Sequence, residues 1–111
     1  MPEFAPLPQP PYWAVIFTAK RTGGDFGYEA MGEKIFALAA KQPGYIGVES
    51  ARDHAGLGIT VSYWADEAAL LNWKAVSEHM LVQKLGRERW YSYYTLRIAK
   101  IERHYDGPAS R

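Results

Sequence analysis

The sequence predicts an α+β domain with the ferredoxin-like element order β-α-β-β-α-β, in which the second helix is split into two pieces. Along residues 12–105 the hydrophobic residues change from strand-like alternation to a spacing of three and four, and back again. Glycine, proline and aspartate separate the segments at which these changes occur. A length of 111 residues with 48% hydrophobic residues fits a single soluble globular domain.

The first strand and first helix are predicted from local composition. Tyr12–Ala19 is rich in aromatic and β-branched residues, which favour a strand. Phe26–Lys41 carries its apolar residues at three- and four-residue intervals, which is typical of an amphipathic helix. Pro43 and Gly44 then mark the end of that helix.

The next two strands form a predicted hairpin. Tyr45–Arg52 and Leu57–Trp64 both alternate, and the four residues 53–56, Asp-His-Ala-Gly, join them as a loop. Asp66 can cap a short helix that continues to about Lys74. A separate helix is predicted from Ser77 to Gly86, followed by a long final strand over residues 92–105.

The segments outside this domain are predicted to be less regular. Residues 1–11 contain five of the seven prolines and no basic residue, which indicates an extended arm and neither a signal peptide nor a transit peptide. The tail, residues 106–111, is expected to be flexible. The folded domain is therefore placed at residues 12–105.

Charge and cysteine content exclude several functional classes. The formal net charge of +1 gives no basic surface field for nucleic acid and no polybasic membrane anchor. No apolar stretch approaches the ~20 residues of a membrane span. The chain has no cysteine, which fits the cytoplasm, and its three histidines lack metal-ligand spacing, so no metal site is expected.

Alternation along the strands predicts which side of the sheet the helices cover. Val48, Val61 and Leu96 are examples of the apolar residues that are expected to face the helices. The opposite face is expected to carry polar and aromatic groups, and to be covered by a ligand or by a second copy of the sheet. These groups are Glu49, Thr60, Ser62, Trp64 and Arg97.

Two short segments, followed by single tryptophan, histidine, glutamine, glycine and tyrosine residues, occur in a characteristic order from residue 42 onward. They are Gln42-Pro43-Gly44-Tyr45-Ile46-Gly47-Val48-Glu49, Ile59-Thr60-Val61-Ser62-Tyr63-Trp64, Trp73, His79, Gln83, Gly86, Trp90 and Tyr91. With these landmarks, residues 12–105 resemble the antibiotic biosynthesis monooxygenase (ABM) superfamily. The resemblance implies a dimeric α/β barrel built from two copies of the domain.

The resemblance also implies an activity. It suggests a cofactor-independent monooxygenase that acts on a small aromatic or quinonoid compound with O2, and therefore no cofactor. The alternative is a non-catalytic small-ligand-binding or stress-associated dimer of the same fold. Haem degradation is less favoured, because the haem-degrading pattern needs an asparagine on the first strand and Tyr12–Ala19 contains none.

A site is expected between the sheet and the broken second helix. His79 is the candidate general base, because an imidazole titrates near neutral pH, although a structural histidine at a helix start is an equal alternative. Arg97 is the candidate for stabilising an oxyanion, or else forms a buried or subunit-spanning ion pair with Glu49. The candidate substrate-binding residues are Trp64, Trp73, Gln83, Trp90, Glu49 and Ser62, of which the tryptophans are expected to be core or cavity wall rather than specific ligands.

Overall fold

The computed structural model of the chain describes residues 3–23, 28–83 and 91–108, without the side chains at positions 28, 29, 31 and 79–83. The elements follow the predicted order, so the α+β, ferredoxin-like fold is confirmed. They are β1 (Tyr12–Arg21), α1 (Tyr28–Ala40), β2 (Tyr45–Arg52), β3 (Leu57–Trp64), α2 (Glu67–Gln83) and β4 (Tyr91–Ile101).

The strands form one antiparallel sheet in the order β2-β3-β1-β4. The central strand β1 pairs with β3 through Val15 and Ser62 and with β4 through Val15 and Ile98. Because directly opposed residues of antiparallel strands project to the same face, this register assigns every strand residue to one of two faces.

Both helices pack on one face of the sheet, which we call the helix-covered face. Its core contains Val15 from β1 and Trp64 from β3, together with Ala39 from α1 and Leu70 and Trp73 from α2. Trp64 and Leu70 are fully buried, with relative exposures of 0%. Burial of such large apolar side chains is the main term that fixes the helices against the sheet.

The predicted assignment of β3 to the two faces is wrong. Ser62, Thr60 and Trp64 lie on the helix-covered face, whereas Ile59 and Val61 lie on the other side, which we call the open face. The large indole of Trp64 decides this orientation, because the strand period of two carries the small polar residues to the same side as the tryptophan.

The predicted break in the second helix is also wrong, since α2 is continuous from Glu67 to Gln83. Ser77, the expected start of a separate helix, lies inside α2, and its hydroxyl donates a 3.1 Å hydrogen bond to the carbonyl of Lys74. Serine is accommodated inside a helix in this way, because its side chain bonds to the preceding turn. Among the described helices, none is long and apolar enough to cross a membrane.

Strand ends differ slightly from the predicted ends. β4 ends at Ile101 instead of continuing to Tyr105, because Ile101 pairs with Tyr12, the first residue of β1. At the other end β1 continues to Arg21, which pairs with Tyr91. The pairing between β1 and β4 therefore determines where each of these two strands ends.

Two turns agree with the predicted loop chemistry. Gly44, before β2, has a φ of 79°, and a Cβ there would lie 2.5 Å from that of Ala69, so glycine is required. In the hairpin loop, Oδ1 of Asp53 accepts hydrogen bonds from the backbone N–H groups of Ala55 and Leu57, each at 2.9 Å.

Asp66 caps α2, as predicted, because its Oδ1 accepts a hydrogen bond from the backbone N–H of Ala69 at 2.8 Å.

The proline-rich arm lies against the open face of β2, a strand at one edge of the sheet. The backbone N–H of Ala5 donates a 3.0 Å hydrogen bond to Oε2 of Glu49, and Ala5 is buried. A Cβ at Gly47 would lie only 2.9 Å from that of Ala5, so the arm approaches β2 where no side chain intervenes. At the other end of the chain, the Tyr12 hydroxyl and His104 Nδ1 are 2.7 Å apart and hydrogen-bonded.

Candidate functional site

A cavity of about 460 Å³ lies between the helix-covered face and the two helices. This volume falls in the range of small-molecule sites, which are typically ~300–1,000 Å³ and mainly apolar with a few polar groups. The sheet contributes Val15, Phe17, Val48, Ser50, Arg52, Thr60, Ser62, Tyr91, Tyr94 and Leu96, and the helices contribute Gly32, Glu33, Ile35, Phe36, Ala39, Trp73, Lys74, Ser77 and Glu78.

Three aromatic rings form the part of the wall made by β1 and β4. The ring centre of Phe17 lies 5.3 Å from that of Tyr91 and 5.5 Å from that of Tyr94. Tyr91 and Tyr94 are 6.0 Å apart and inclined at 62°. These separations are those of favourable aromatic contacts, so the three rings support one another as a wall for a flat ligand.

The part of the wall made by β2 and β3 is polar. The hydroxyls of Ser50 and Thr60, which face each other across the two strands, are hydrogen-bonded at 2.7 Å. Arg52 follows on β2, where its Nη1 donates a 3.3 Å hydrogen bond to the carbonyl of Gly56 in the hairpin loop. Hydroxyl and guanidinium groups therefore line this side of the cavity.

Helix α2 contributes an aromatic and a charged group. Trp73 lines the cavity and stacks on Trp64, with ring centres 5.7 Å apart and planes inclined at 23°. Lys74 and Glu78, one helical turn apart, form an ion pair of 2.6 Å. Because both side chains are 38% exposed, this pair belongs to the solvent-accessible rim of the wall.

Trp64 and Ser62 form a buried polar contact beneath the cavity. The indole Nε1–H of Trp64 donates a 3.0 Å hydrogen bond to Oγ of Ser62, and both residues are buried. Ser62 lines the cavity, whereas Trp64 packs behind the wall between Tyr45 and Trp73. Burial raises the pKa of the Tyr45 hydroxyl.

Arg97 and Glu49 lie on the open face, so their predicted position in the cavity wall is wrong. Arg97 pairs with Ile16 in the β1–β4 ladder, and its Nη2 donates a 2.7 Å hydrogen bond to Oγ1 of Thr18. Glu49 accepts from Tyr63 at 2.7 Å and from Ala5 at 3.0 Å. Strand parity is the cause, since Glu49 lies next to the cavity-lining Val48 and Ser50 on β2, and Arg97 lies next to the cavity-lining Leu96 on β4.

The predicted ion pair between Arg97 and Glu49 does not form within the protomer. Glu49 is on β2 and Arg97 on β4, at the two opposite edges of the sheet. Three strand spacings of ~4.8 Å separate such positions by roughly 14 Å, well beyond ion-pair distance. Arg97 therefore has no geometric support in the protomer as an oxyanion clamp for the cavity.

Three of the predicted site residues cannot be placed in the wall. His79 and Gln83 belong to α2, but their side chains lie outside the described residues, and Trp90 lies outside them entirely. Within the described parts of the chain, no group of three or more histidine, cysteine, aspartate or glutamate side chains could hold a metal ion.

The sequence interpretation missed several wall residues, notably Phe17, Ser50, Arg52 and Tyr94. The sequence could have identified Ser50 and Arg52, because they lie two and four positions after Val48 and therefore project to the same side of β2, which was expected to face the helices. The first strand gave no comparable signal, since both of its alternating sets are apolar. Phe17 could be assigned only through its pairing with Thr60 and Leu96.

The chain is related to a protein of known sequence but uncharacterised role. It is 46% identical over 96 residues to YqjZ of Bacillus subtilis, an uncharacterised protein, and the match covers 86% of this chain and 84% of YqjZ. No protein-family model matches the chain.

Solved structures of other proteins share the fold of this chain. A variant of SnoaB, a cofactor-independent oxygenase from Streptomyces nogalater, superposes with a TM-score of 0.68 at 15% identity, covering 84% of this chain and 95% of SnoaB. An antibiotic biosynthesis monooxygenase superposes with a TM-score of 0.64 at 14% identity, covering 78% and 95% of the two chains. At these identities the likeness establishes a shared fold. The chain belongs to the family of YqjZ, and its fold is that of the antibiotic biosynthesis monooxygenase-like proteins.

Proposed function

We propose that this protein is a cofactor-independent monooxygenase that oxidises a small aromatic or quinonoid compound with O2. The observation that carries the proposal is the cavity of about 460 Å³, in which an aromatic wall faces a few hydroxyl and charged groups. The shared fold with SnoaB, a cofactor-independent oxygenase, supports the same conclusion.

The reaction requires a base and an electron-rich substrate. Removal of a proton from an activated CH2 group or a phenol gives a carbanion or phenolate that reduces O2 directly. For a CH2 group that becomes a carbonyl, one oxygen atom enters the substrate and the other leaves as water, so the substrate supplies all the electrons. His79 on α2 is the proton acceptor in this proposal, because an imidazole is neutral and basic near pH 7.

The described wall suits such a substrate. Phe17, Tyr91 and Tyr94 offer ring faces and edges to a flat molecule, and Trp73 adds a further aromatic surface on α2. Ser62 contributes a hydroxyl that is already an acceptor for Trp64, so its own O–H is free to donate to a substrate oxygen. The site therefore combines apolar burial with a small number of directional contacts.

A second copy of the chain is part of the proposal. On the open face, Ile59 is 46% and Tyr93 70% exposed, with Arg97 and Thr18 between apolar strand residues. No described helix covers this face, because both helices pack on the other side. We propose that two protomers pack through their open faces as a two-fold symmetric homodimer. Arg97 then belongs to the dimer interface rather than to the cavity.

Oxygen uptake with polycyclic phenols and anthrone-type compounds tests the activity. A cavity-filling variant, Ser50→Phe, should lose uptake because its ring occupies the substrate volume. Ala75→Phe is the matched control, since Ala75 is exposed on α2 and does not line the cavity. Equal uptake by wild type and Ser50→Phe would contradict the assignment of the cavity as the active site.

The competing function is a non-catalytic binding protein of the same fold. It is favoured by the hydrogen bonds that described wall residues make with one another, as between Ser50 and Thr60 and between Lys74 and Glu78. Saturable ligand binding that Ser50→Phe abolishes, with no oxygen uptake for any aromatic substrate, would support this function in place of the oxygenase.

A further inference from the structure

Ser62 lies in a buried row of the cavity wall. On β3 it pairs directly with Val48 of β2 and Val15 of β1, so the three side chains project side by side from the helix-covered face. Their exposed fractions are 8% for Ser62, 8% for Val48 and 6% for Val15. The neighbouring row begins at Ser50, which is exposed. The wall around Ser62 is therefore shielded from water, whereas the wall around Ser50 is open to it.

The hydroxyl of Ser62 already has one partner. Its Oγ accepts the indole Nε1–H of Trp64 at 3.0 Å, and Trp64 is fully buried. An indole nitrogen can only donate, so the serine is the acceptor in this contact. The hydrogen of the Ser62 hydroxyl is therefore directed to another group. Because a hydroxyl that accepts a hydrogen bond becomes a stronger donor, Trp64 also strengthens this O–H group.

The buried part of the described wall contains no other side chain that could accept the Ser62 hydrogen. The described cavity residues that are as buried as Ser62 are Val15, Ala39, Val48 and Trp73. Three of these side chains are apolar, and the indole of Trp73 has a donor but no acceptor. A buried O–H group without a partner costs free energy, and a bound ligand removes this cost when it supplies an acceptor oxygen.

The other serine and threonine hydroxyls of the described wall differ from that of Ser62. Ser77 on α2 donates its hydrogen to the carbonyl of Lys74 at 3.1 Å. Ser50 and Thr60 are hydrogen-bonded to each other at 2.7 Å, and Ser50 is exposed, so water can accept the hydrogen that this pair leaves over. Among these four hydroxyls, that of Ser62 is the buried donor that a ligand is needed to satisfy.

The number of polar hydrogens favours a carbonyl group at this position. A ketone or quinone oxygen accepts from Ser62 and brings no hydrogen of its own, so every hydrogen has a partner. A phenol or alcohol brings a second hydrogen, and one hydrogen bond between two hydroxyls leaves one of the two hydrogens unpaired. A carboxylate brings a charge that a single O–H group in an apolar wall does not compensate.

We infer that the cavity binds an aryl ketone or quinone with a carbonyl oxygen directed inward, where it accepts a hydrogen bond from Ser62. The rings of the ligand then lie against Phe17, which belongs to the neighbouring row of the wall. This inference rests on the proposed function, since it names the ligand class of the same cavity. Ser62 is a specificity-determining residue in this arrangement, and it takes no part in proton transfer.

Three probes of nearly equal shape test the inference. They are fluorenone, which carries a carbonyl, fluorenol, in which the same oxygen carries a hydrogen, and fluorene, which has no oxygen. Equilibrium dialysis against wild type should show about 10-fold tighter binding of fluorenone than of fluorenol, the effect of one unpaired buried hydrogen. Equal affinities for fluorenone and fluorenol would overturn the inference.

Variants of the wall hydroxyls identify the donor. Ser62→Ala should lower the affinity for fluorenone about 10-fold and leave the affinity for fluorene unchanged. Ser62→Thr, which keeps a hydroxyl, should retain the preference for fluorenone over fluorenol. Ser77→Ala is the matched control, since it removes a wall hydroxyl whose hydrogen is already bonded to the carbonyl of Lys74. An affinity for fluorenone that survives Ser62→Ala but falls in Ser77→Ala would assign the donor to the wrong strand and reject the role of Ser62.

The carbonyl stretch of bound fluorenone reports the contact in the wild-type protein itself. Ser62→Ala leaves the buried indole N–H of Trp64 without its acceptor, so this measurement keeps the test independent of whether that variant folds. A hydrogen bond to a carbonyl oxygen lowers its stretching frequency. Infrared difference spectra should therefore place the band of bound fluorenone below its position in a hydrocarbon solvent. A band at the hydrocarbon position would overturn the inference.

Oxygen uptake separates this inference from the proposed function. Uptake with polycyclic phenols, together with equal binding of fluorenone and fluorenol, would reject the carbonyl ligand and leave the oxygenase intact. A preference for fluorenone with a lowered carbonyl frequency, but no uptake with any aromatic substrate, would reject the oxygenase and leave the ligand class intact. Failure of all three probes to bind would overturn the inference irrespective of uptake.

Discussion

Tyr63 donates a 2.7 Å hydrogen bond from its hydroxyl to Oε1 of Glu49, joining β3 to β2 on the open face. The other carboxylate oxygen of Glu49 accepts the backbone N–H of Ala5, so one side chain holds both the sheet edge and the N-terminal arm. The ring of Tyr63 also packs edge-on against that of Tyr12, with ring centres 5.9 Å apart. The contact therefore connects three separate segments of the chain.

This contact predicts a loss of stability at alkaline pH. Burial, followed by the hydrogen bond to Glu49 and its charge, raises the pKa of Tyr63 above its ordinary value of 10.0. A group whose pKa is raised by folding contributes stability below its unfolded pKa and loses that contribution as the pH rises through the folded value. The free energy of unfolding should therefore fall above about pH 10.

Urea denaturation between about pH 9 and 11 measures this effect. Tyr63→Phe removes the titrating hydroxyl, so its free energy of unfolding should fall less steeply over this range than that of wild type. Tyr105→Phe, at a tyrosine that is 86% exposed, should follow the wild-type curve. Parallel curves for wild type and Tyr63→Phe would show that Tyr63 does not contribute to the alkaline transition.

Two adjacent leucines on α2 predict a contrast in core packing. Leu70 is fully buried in the helix–sheet core, whereas Leu71 is 50% exposed. Leu70→Ala leaves a cavity and should lower the free energy of unfolding by about 2–5 kcal/mol. Leu71→Ala should change it by about 0.5 kcal/mol or less. Chemical denaturation of both variants checks this, and equal losses would mean that α2 is rotated from the described orientation.

Local sequence patterns predicted β2 and β3 correctly, because both strands alternate and are bounded by glycine or aspartate. They failed for the orientation of β3, where Ser62 and Thr60 were predicted to lie on the sheet face away from the helices. In the structure the Ser62 hydroxyl accepts the buried indole N–H of Trp64, so its polarity serves an interior hydrogen bond. Such a contact depends on which tryptophan is buried, and alternation alone does not contain that information.

The predicted break in the second helix was wrong for a similar reason. Ser77 resembled a helix start because serine is a common capping residue, but its hydroxyl bonds to Lys74 in the preceding turn. Packing of Leu70, Trp73 and Val76 against the sheet maintains one continuous helix. Alternation with Leu96 on β4 correctly predicted that Arg97 faces away from the helices, so its assignment to a cavity beneath the helices conflicted with that pattern.

The proposed homodimer predicts that a charge on the open face disrupts assembly. Ile59 is 46% exposed in the protomer, so Ile59→Lys should be tolerated by the fold but would bury a charge between two sheets. Wild type should sediment as a dimer at micromolar concentration, with an interface of about 2,000 Å² or more, and Ile59→Lys as a monomer. Leu71→Lys, on the exposed side of α2, should remain dimeric. A wild-type monomer would reject the proposed interface.

The proposed chemistry predicts a specific role for His79. If His79 removes the substrate proton, His79→Ala should lower the rate of oxygen uptake by about 10²–10⁴-fold, the usual contribution of a positioned general base. The rate in wild type should rise with pH, because only the neutral imidazole accepts a proton, and this rise should be missing from the residual rate of the variant. His54→Ala is the matched control, since His54 lies exposed in the hairpin loop between β2 and β3. If His79→Ala kept the wild-type rate and pH profile, His79 would not be the base, and another group of the cavity would have to remove the proton. The oxygenase proposal itself is tested by whether the wild type takes up oxygen.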